Sequence, residues 1–219
     1  MKKNLSITNW LIIANVVFFI AVYIILAFNP GFMDYISLKP ADFLQGKNVW
    51  TLVTHFFMHG GFFHLFINMF ILFSLGSLME KIIGRKRFLA FYLVAGLVAG
   101  LLFVVLSGLF GATKIGAAIF GSPDVAAVGA SGAIFAIAGL FVILLPKVRF
   151  AIIFLPFFSL PGYIMIPVVL ALTWVASSAT GLPIGNVAHL GGFLAGLVYG
   201  LYLKSKYKRK IEVLRRYFR

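Results

Sequence analysis

The run V-G-A-S-G-A-I-F-A-I-A-G-L, Val128 to Leu140, is apolar enough to lie in a membrane, yet it opens on Gly129, Ala130, Ser131 and Gly132. Small residues let a neighbouring helix approach closely, and a lone hydroxyl at such a contact is more often a helix–helix hydrogen bond than a nucleophile. Which of the two Ser131 is has to be decided by the rest of the chain.

The surrounding sequence has the same character. Of 219 residues, 62% are hydrophobic and 11% charged, with a mean hydropathy of +1.07. This is far more apolar than a soluble domain. The apolar runs are continuous rather than alternating, which predicts a helical bundle and argues against a barrel. The expected class is therefore an all-α membrane protein. With no cysteine in the chain, disulfides and thiolate–metal sites are excluded.

Six spans follow from the apolar runs and their breaks. They are Trp10 to Phe28, Phe62 to Met79, Phe88 to Phe110, the opening stretch as far as Leu145, Gly162 to Ala179, and Val187 to Leu203. The domain reading is a short N-terminus (1–9), a six-span core (10–203) and a basic tail (204–219). The first span resembles a signal peptide only superficially, because no small-residue cleavage site follows before Asn29-Pro30-Gly31. Residues 29–61 form a long loop, rich in aromatics and expected to lie partly in the interface. Arg149 to Pro161 is apolar but broken by Pro156 and Pro161, which suggests an interfacial segment.

Orientation follows from the cations. Six spans put both termini on one side, and that side collects sixteen of the nineteen Lys and Arg residues, leaving Lys39, Lys47 and Lys114 for the other. The positive-inside rule makes both termini cytoplasmic. The net charge of +14 is thus explained by topology and anionic lipid, and implies no nucleic-acid partner.

Ionisable residues within spans are functional candidates. Spans two, four and six run in the same direction, so His64, Ser131 and His189 all fall near their outer ends. At 1.5 Å per residue, Ser131 is expected roughly 5–10 Å below the outer boundary. Asn68 shares a helix face with His64. Gly192 and Gly196 form a G-x-x-x-G contact face beside His189. The chemistry fits a serine hydrolase: histidine can take the proton of a hydroxyl near neutral pH. First-turn N–H groups near Ser131, with His64 and Asn68, supply donors for an oxyanion. No buried acid completes a triad, and Asp124 reads as a solvated loop residue, so a Ser131–His189 dyad is expected.

At these residues the sequence resembles the rhomboid intramembrane serine proteases, over nearly the whole six-span core. The family's G-x-S-G motif matches Gly129, Ala130, Ser131 and Gly132. Its H-x-x-x-H-x-x-x-x-H-x-x-x-N pattern matches His55, His59, His64 and Asn68, and its A-H-x-x-G motif matches Ala188, His189 and Gly192. The resemblance implies a six-helix rhomboid-like bundle, with Ser131 as nucleophile and His189 as general base. His64, Asn68 and the Ser131 N–H would form the oxyanion site, to which Gly129 is added here. Glu80 looks like the family's structural acid at the inner end of span two. His55 and His59 match the pattern but need be no more than packing or hydrogen-bonding residues. One departure is Trp50-Thr51, where many members carry Trp-Arg; it puts the first loop's anchoring in doubt.

The resemblance further implies an endopeptidase acting, without cofactor or metal, on single-span membrane proteins in the bilayer of the cell membrane. The alternative is a catalytically inactive rhomboid-like binding or quality-control factor. A transporter would need polar residues through the whole bundle, and here only its outer half carries them. A metalloprotease would need more than the His55 and His59 spacing, since H-E-x-x-H is absent. The mechanism calls for a water-filled cavity between spans two, four and six. Span five and the turn from Thr180 to Asn186 are the expected gate. Oligomeric state is left open.

Overall fold

The computed structural model describes residues 5–152, 155–181 and 184–218. Lys2 and Lys3, and the middle of the Thr180–Asn186 turn, lie outside them. The first span is α1 (Ile7–Phe28), which starts three residues earlier than expected. Two groups fix that start. The Ser6 hydroxyl accepts from the Asn9 N–H, and the Glu80 carboxylate accepts from the N–H groups of Ile7 and Thr8 and from the Thr8 hydroxyl, each at 2.8 Å. Glu80 thus caps one helix from another, as suits a carboxylate facing a helix N-terminus. It also lies 3.8 Å from Arg85.

The long loop holds a 3₁₀ turn (Pro30–Tyr35) and the short helices α2 (Pro40–Leu44) and α3 (Thr51–Thr54). Side chains tie it together without an arginine. Thr51 donates to the Asn48 carbonyl at 2.7 Å, Trp50 Nε1 to Tyr35 at 2.8 Å, and Thr54 to Ile36 at 2.9 Å. An antiparallel bridge, Leu38 to Ala127, helps fasten it to the chain entering span four.

Span two is α4 (Phe62–Ile71), a π-helical segment (Leu72–Gly76) and α5 (Ser77–Ile83), continuous over 22 residues. Span three, α6 (Arg85–Phe110), is followed by α7 (Lys114–Phe120). The fourth span departs from expectation. Its helix, α8, covers only Ser131–Leu144. Fourteen residues rise about 21 Å, short of the roughly 30 Å hydrocarbon core. Val128 to Ala130 belong instead to the loop, where Gly129 has φ +122°, outside any helix. The remaining described elements are β1 (Arg149–Ile152), β2 (Leu155–Pro161), α9 (Gly162–Thr180), α10 (Asn186–Lys206) and α11 (Lys208–Tyr217). Among the described residues, five helices are long and apolar enough to cross a membrane, and α8 is a shorter apolar helix outside that set.

Two segments differ from the sequence reading in kind. Between Arg149 and Pro161, β1 and β2 pair antiparallel, Arg149 with Pro161 and Phe150 with Leu160. Phe150 turns inward onto Phe141, with ring centroids 4.9 Å apart. The basic tail is helical and docked: Ile211 is buried, and Arg215 donates to the carbonyls of Leu144, at 3.2 Å, and Ile143.

The centre of the bundle is α8, ten of whose fourteen residues are buried. Its contact with α10 is made by backbone. A Cβ on Gly192 would lie 1.9 Å from the Gly132 carbonyl, and one on Gly196 2.0 Å from that of Ala136. Only glycine permits that approach. The Gly192–Gly196 face was expected; the side of Gly132 that lacks a Cβ, however, faces Ala99 of α6.

Candidate active site

The helices α4, α8 and α10 begin at one end of the bundle, and each carries a candidate residue in its first turn: His64 third in α4, Ser131 first in α8, His189 fourth in α10. The glycine contact sets the spacing of α8 and α10, and the side chains meet across it. His189 Nε2 lies 2.8 Å from Ser131 Oγ. His189 is buried and stacks on Phe135, with centroids 4.5 Å apart and planes 28° apart. Phe135 follows Ser131 by four residues and so lies on the same helix face, a spacing that could have flagged it from sequence.

His189 Nδ1 has no hydrogen-bond partner among the described residues. Asp124 is exposed, as read from the sequence, and its backbone bonds Ser122 within its own loop. Among the described residues the arrangement is a serine–histidine pair with no acid bonded to the histidine. As α8 starts at Ser131, the N–H groups of its first turn have no acceptor within the helix.

His64 is held in one tautomer. Its Nδ1 accepts from the Gly60 N–H at 3.3 Å, so the proton belongs to Nε2. That nitrogen lies over Gly129, where a Cβ would come within 3.0 Å of it and 3.6 Å of Ser131 Oγ. A side chain at 129 would therefore separate His64 from Ser131, which explains the glycine better than packing does. Asn68 is buried and its Nδ2 donates to the His64 carbonyl at 2.8 Å.

His55 and His59 hold the chain that enters α8. The His55 carbonyl accepts from the Gly129 N–H at 2.8 Å, and its Nδ1 donates to Thr51 at 2.7 Å. His59 Nε2 accepts from the Ala130 N–H at 3.5 Å, and its ring meets His64 edge-on at 5.1 Å. Burial pushes His55 down to about 4; burial, with the neighbouring His64, does the same to His59. Both are therefore neutral at pH 7 and act through hydrogen bonds.

A cavity of about 340 Å³ lies at this end, but not between spans two, four and six. It sits among α6, α7, α9 and α10, lined by Phe103, Ala117, Gly121, Ser177 and Asn186.

Comparison with known proteins gives a consistent result. The family model for the rhomboid domain matches residues 46–206. The human presenilin-associated rhomboid-like protein, mitochondrial, is 32% identical over 146 residues, which are 67% of this chain and 36% of that protein. This chain thus spans little more than a third of that relative's length. Rhomboid protease GlpG of Haemophilus influenzae is 29% identical over 195 residues, covering 87% of this chain and 89% of its own. Rhomboid protein 1, mitochondrial, of Saccharomyces cerevisiae is 29% identical over 197 residues, with 85% and 52% covered. On the extent of the domain match and these identities, the chain belongs to the rhomboid family.

Proposed function

We propose that this protein is an intramembrane serine endopeptidase that cleaves peptide bonds within or near the transmembrane segments of single-span membrane proteins. The observation that carries the reading is the 2.8 Å approach of His189 Nε2 to Ser131 Oγ on helices whose spacing backbone contacts fix. In this mechanism Ser131 Oγ attacks the scissile carbonyl carbon while its proton passes to His189 Nε2. The oxyanion is met by the Ser131 N–H, the Nε2–H of His64 and the amide of Asn68, and Gly129 leaves the room it needs. As the C–N bond breaks, His189 returns the proton to the leaving amine. Water then adds to the acyl group on Ser131 with His189 again as base, and the carboxylic acid leaves. No cofactor or metal is called for.

An intact substrate helix hides its carbonyls, so helix-breaking residues near the cleavage point should favour turnover. Entry is assigned to α9. Its buried residues, Gly162, Met165, Ile166 and Leu170, all lie in its first half, and none of residues 171–180, at the Ser131 end, is buried. The cell membrane is the proposed location, with both termini inside. Charge distribution supports the orientation. The test is cleavage of a transmembrane reporter in vesicles. Ser131→Ala should abolish it; full activity in that variant would refute the proposal.

A further inference from the structure

The end of the bundle opposite Ser131 holds a second cavity, of about 530 Å³, framed by α5, α6, α10 and α11. Its walls are apolar, with Leu78, Ile82, Leu203 and Leu214 among them, and its rim carries Lys81, Arg87 and Lys210. Tyr207 organises that rim. Arg87 Nη2 donates to its hydroxyl at 3.2 Å, and Arg87 Cζ, Lys206 Nζ and Lys210 Nζ lie 5.5, 5.8 and 5.9 Å from its ring centroid.

Among the described residues, no acidic side chain lines this cavity. Glu80 is engaged by Ile7, Thr8 and Arg85, and Glu212 lines a separate recess on the other side of α11. Cations gathered on one tyrosine without a carboxylate repel one another, and the ring's quadrupole offsets only part of that. The cluster is complementary to an anion. The apolar chamber beneath it is complementary to a hydrocarbon chain. The two lie where α5 and α10 run out at the membrane boundary, and the docked helix α11 forms the outer wall.

We propose that this groove binds one anionic phospholipid of the inner leaflet. The acyl chain lies along Leu78, Ile82, Leu203 and Leu214. The phosphate sits among Lys81, Arg87 and Lys210, with the Tyr207 hydroxyl, already accepting from Arg87, free to donate to it. A free anion would leave the apolar chamber in contact with water, and an uncharged lipid would leave the cations unmatched. The site is separate from the chemistry at Ser131.

The test is native mass spectrometry of the full chain in detergent micelles, with phosphatidylglycerol or phosphatidylcholine of identical acyl chains added. Retention of phosphatidylglycerol should exceed that of phosphatidylcholine by about fivefold. Joint Arg87→Gln and Lys210→Gln substitution should remove the preference. Joint Lys204→Gln and Lys208→Gln substitution takes the same charge from the recess across α11 and should leave the preference intact. Ile82→Trp fills the chamber while leaving the cations in place, and should also lose the lipid. Inorganic phosphate should not displace it. Equal loss in both double variants, no preference in the wild type, retention by Ile82→Trp, or displacement by phosphate alone would each overturn the proposal.

Discussion

Helices α9 and α10 both pack against α8, and they do so by different means. Half of the apolar window of α10 is buried, against 22% for α9. The α10 contact is backbone on backbone through Gly192 and Gly196. The buried residues of α9 lie in its first half. Pro167 weakens the helix within that half, and Trp174 Nε1 gives the second half a tie to the Ile119 carbonyl at 3.0 Å. The proposed reacting pair sits on the backbone contact, and the proposed entry sits on the helix that buries less of its length. Precision and access are thus assigned to different neighbours of one helix.

The contrast can be broken most severely at the glycines. Gly196→Val places a Cβ where the Ala136 carbonyl stands, so unfolding in micelles should show a loss of about 3 kcal/mol or more, with activity falling alongside. A milder loss would mean that α8 and α10 can separate. For α9 the informative change is restraint. A cross-link from the second half of α9 to α4 should slow cleavage of a transmembrane reporter by about tenfold, while acylation of Ser131 by a small reagent stays nearly constant. No effect on the reporter would remove α9 as the gate.

Smaller effects sharpen the seating of α8 itself. His59→Ala removes the acceptor for the Ala130 N–H and the ring against His64, and should lower stability by about 1–2 kcal/mol, read from the melting curve. The pH dependence has a fixed sign. The folded-state values of His55 and His59, about 4, lie below the ordinary 6.5, so the unfolded chain binds protons first. Their contribution is complete above about pH 6.5 and should be lost as pH falls toward 4. His55→Gln should flatten that decline. The smallest effect belongs to Leu172→Ala on the second half of α9, 55% exposed, which should shift stability by no more than about 0.5 kcal/mol.

The five long helices were legible because each follows a continuous apolar run. The juxtaposition of His64, Ser131 and His189 was legible because the three runs that carry them begin at one end of the bundle. The short start of α8 was not, because Val128 to Ala130 are as apolar as the helix that follows, and the φ of Gly129 is a property of the folded chain. The pairing of β1 with β2 was masked by its own hydrophobicity, and α11 by its charge. The part played by His55 was out of reach for another reason: it is the His55 carbonyl that holds Gly129, and no side-chain identity encodes that bond. Thr51 raised a doubt about the first loop that the bonds of Trp50, Thr51 and Thr54 resolve.

The central claim is that His189 activates Ser131 for acyl transfer. It is tested most directly by labelling the purified protein with a serine-directed fluorophosphonate and locating the adduct by mass. The account predicts one adduct, on Ser131, absent in Ser131→Ala and formed at least about a hundredfold more slowly in His189→Ala. Labelling at an unchanged rate in His189→Ala, or an adduct on any other residue, would contradict it.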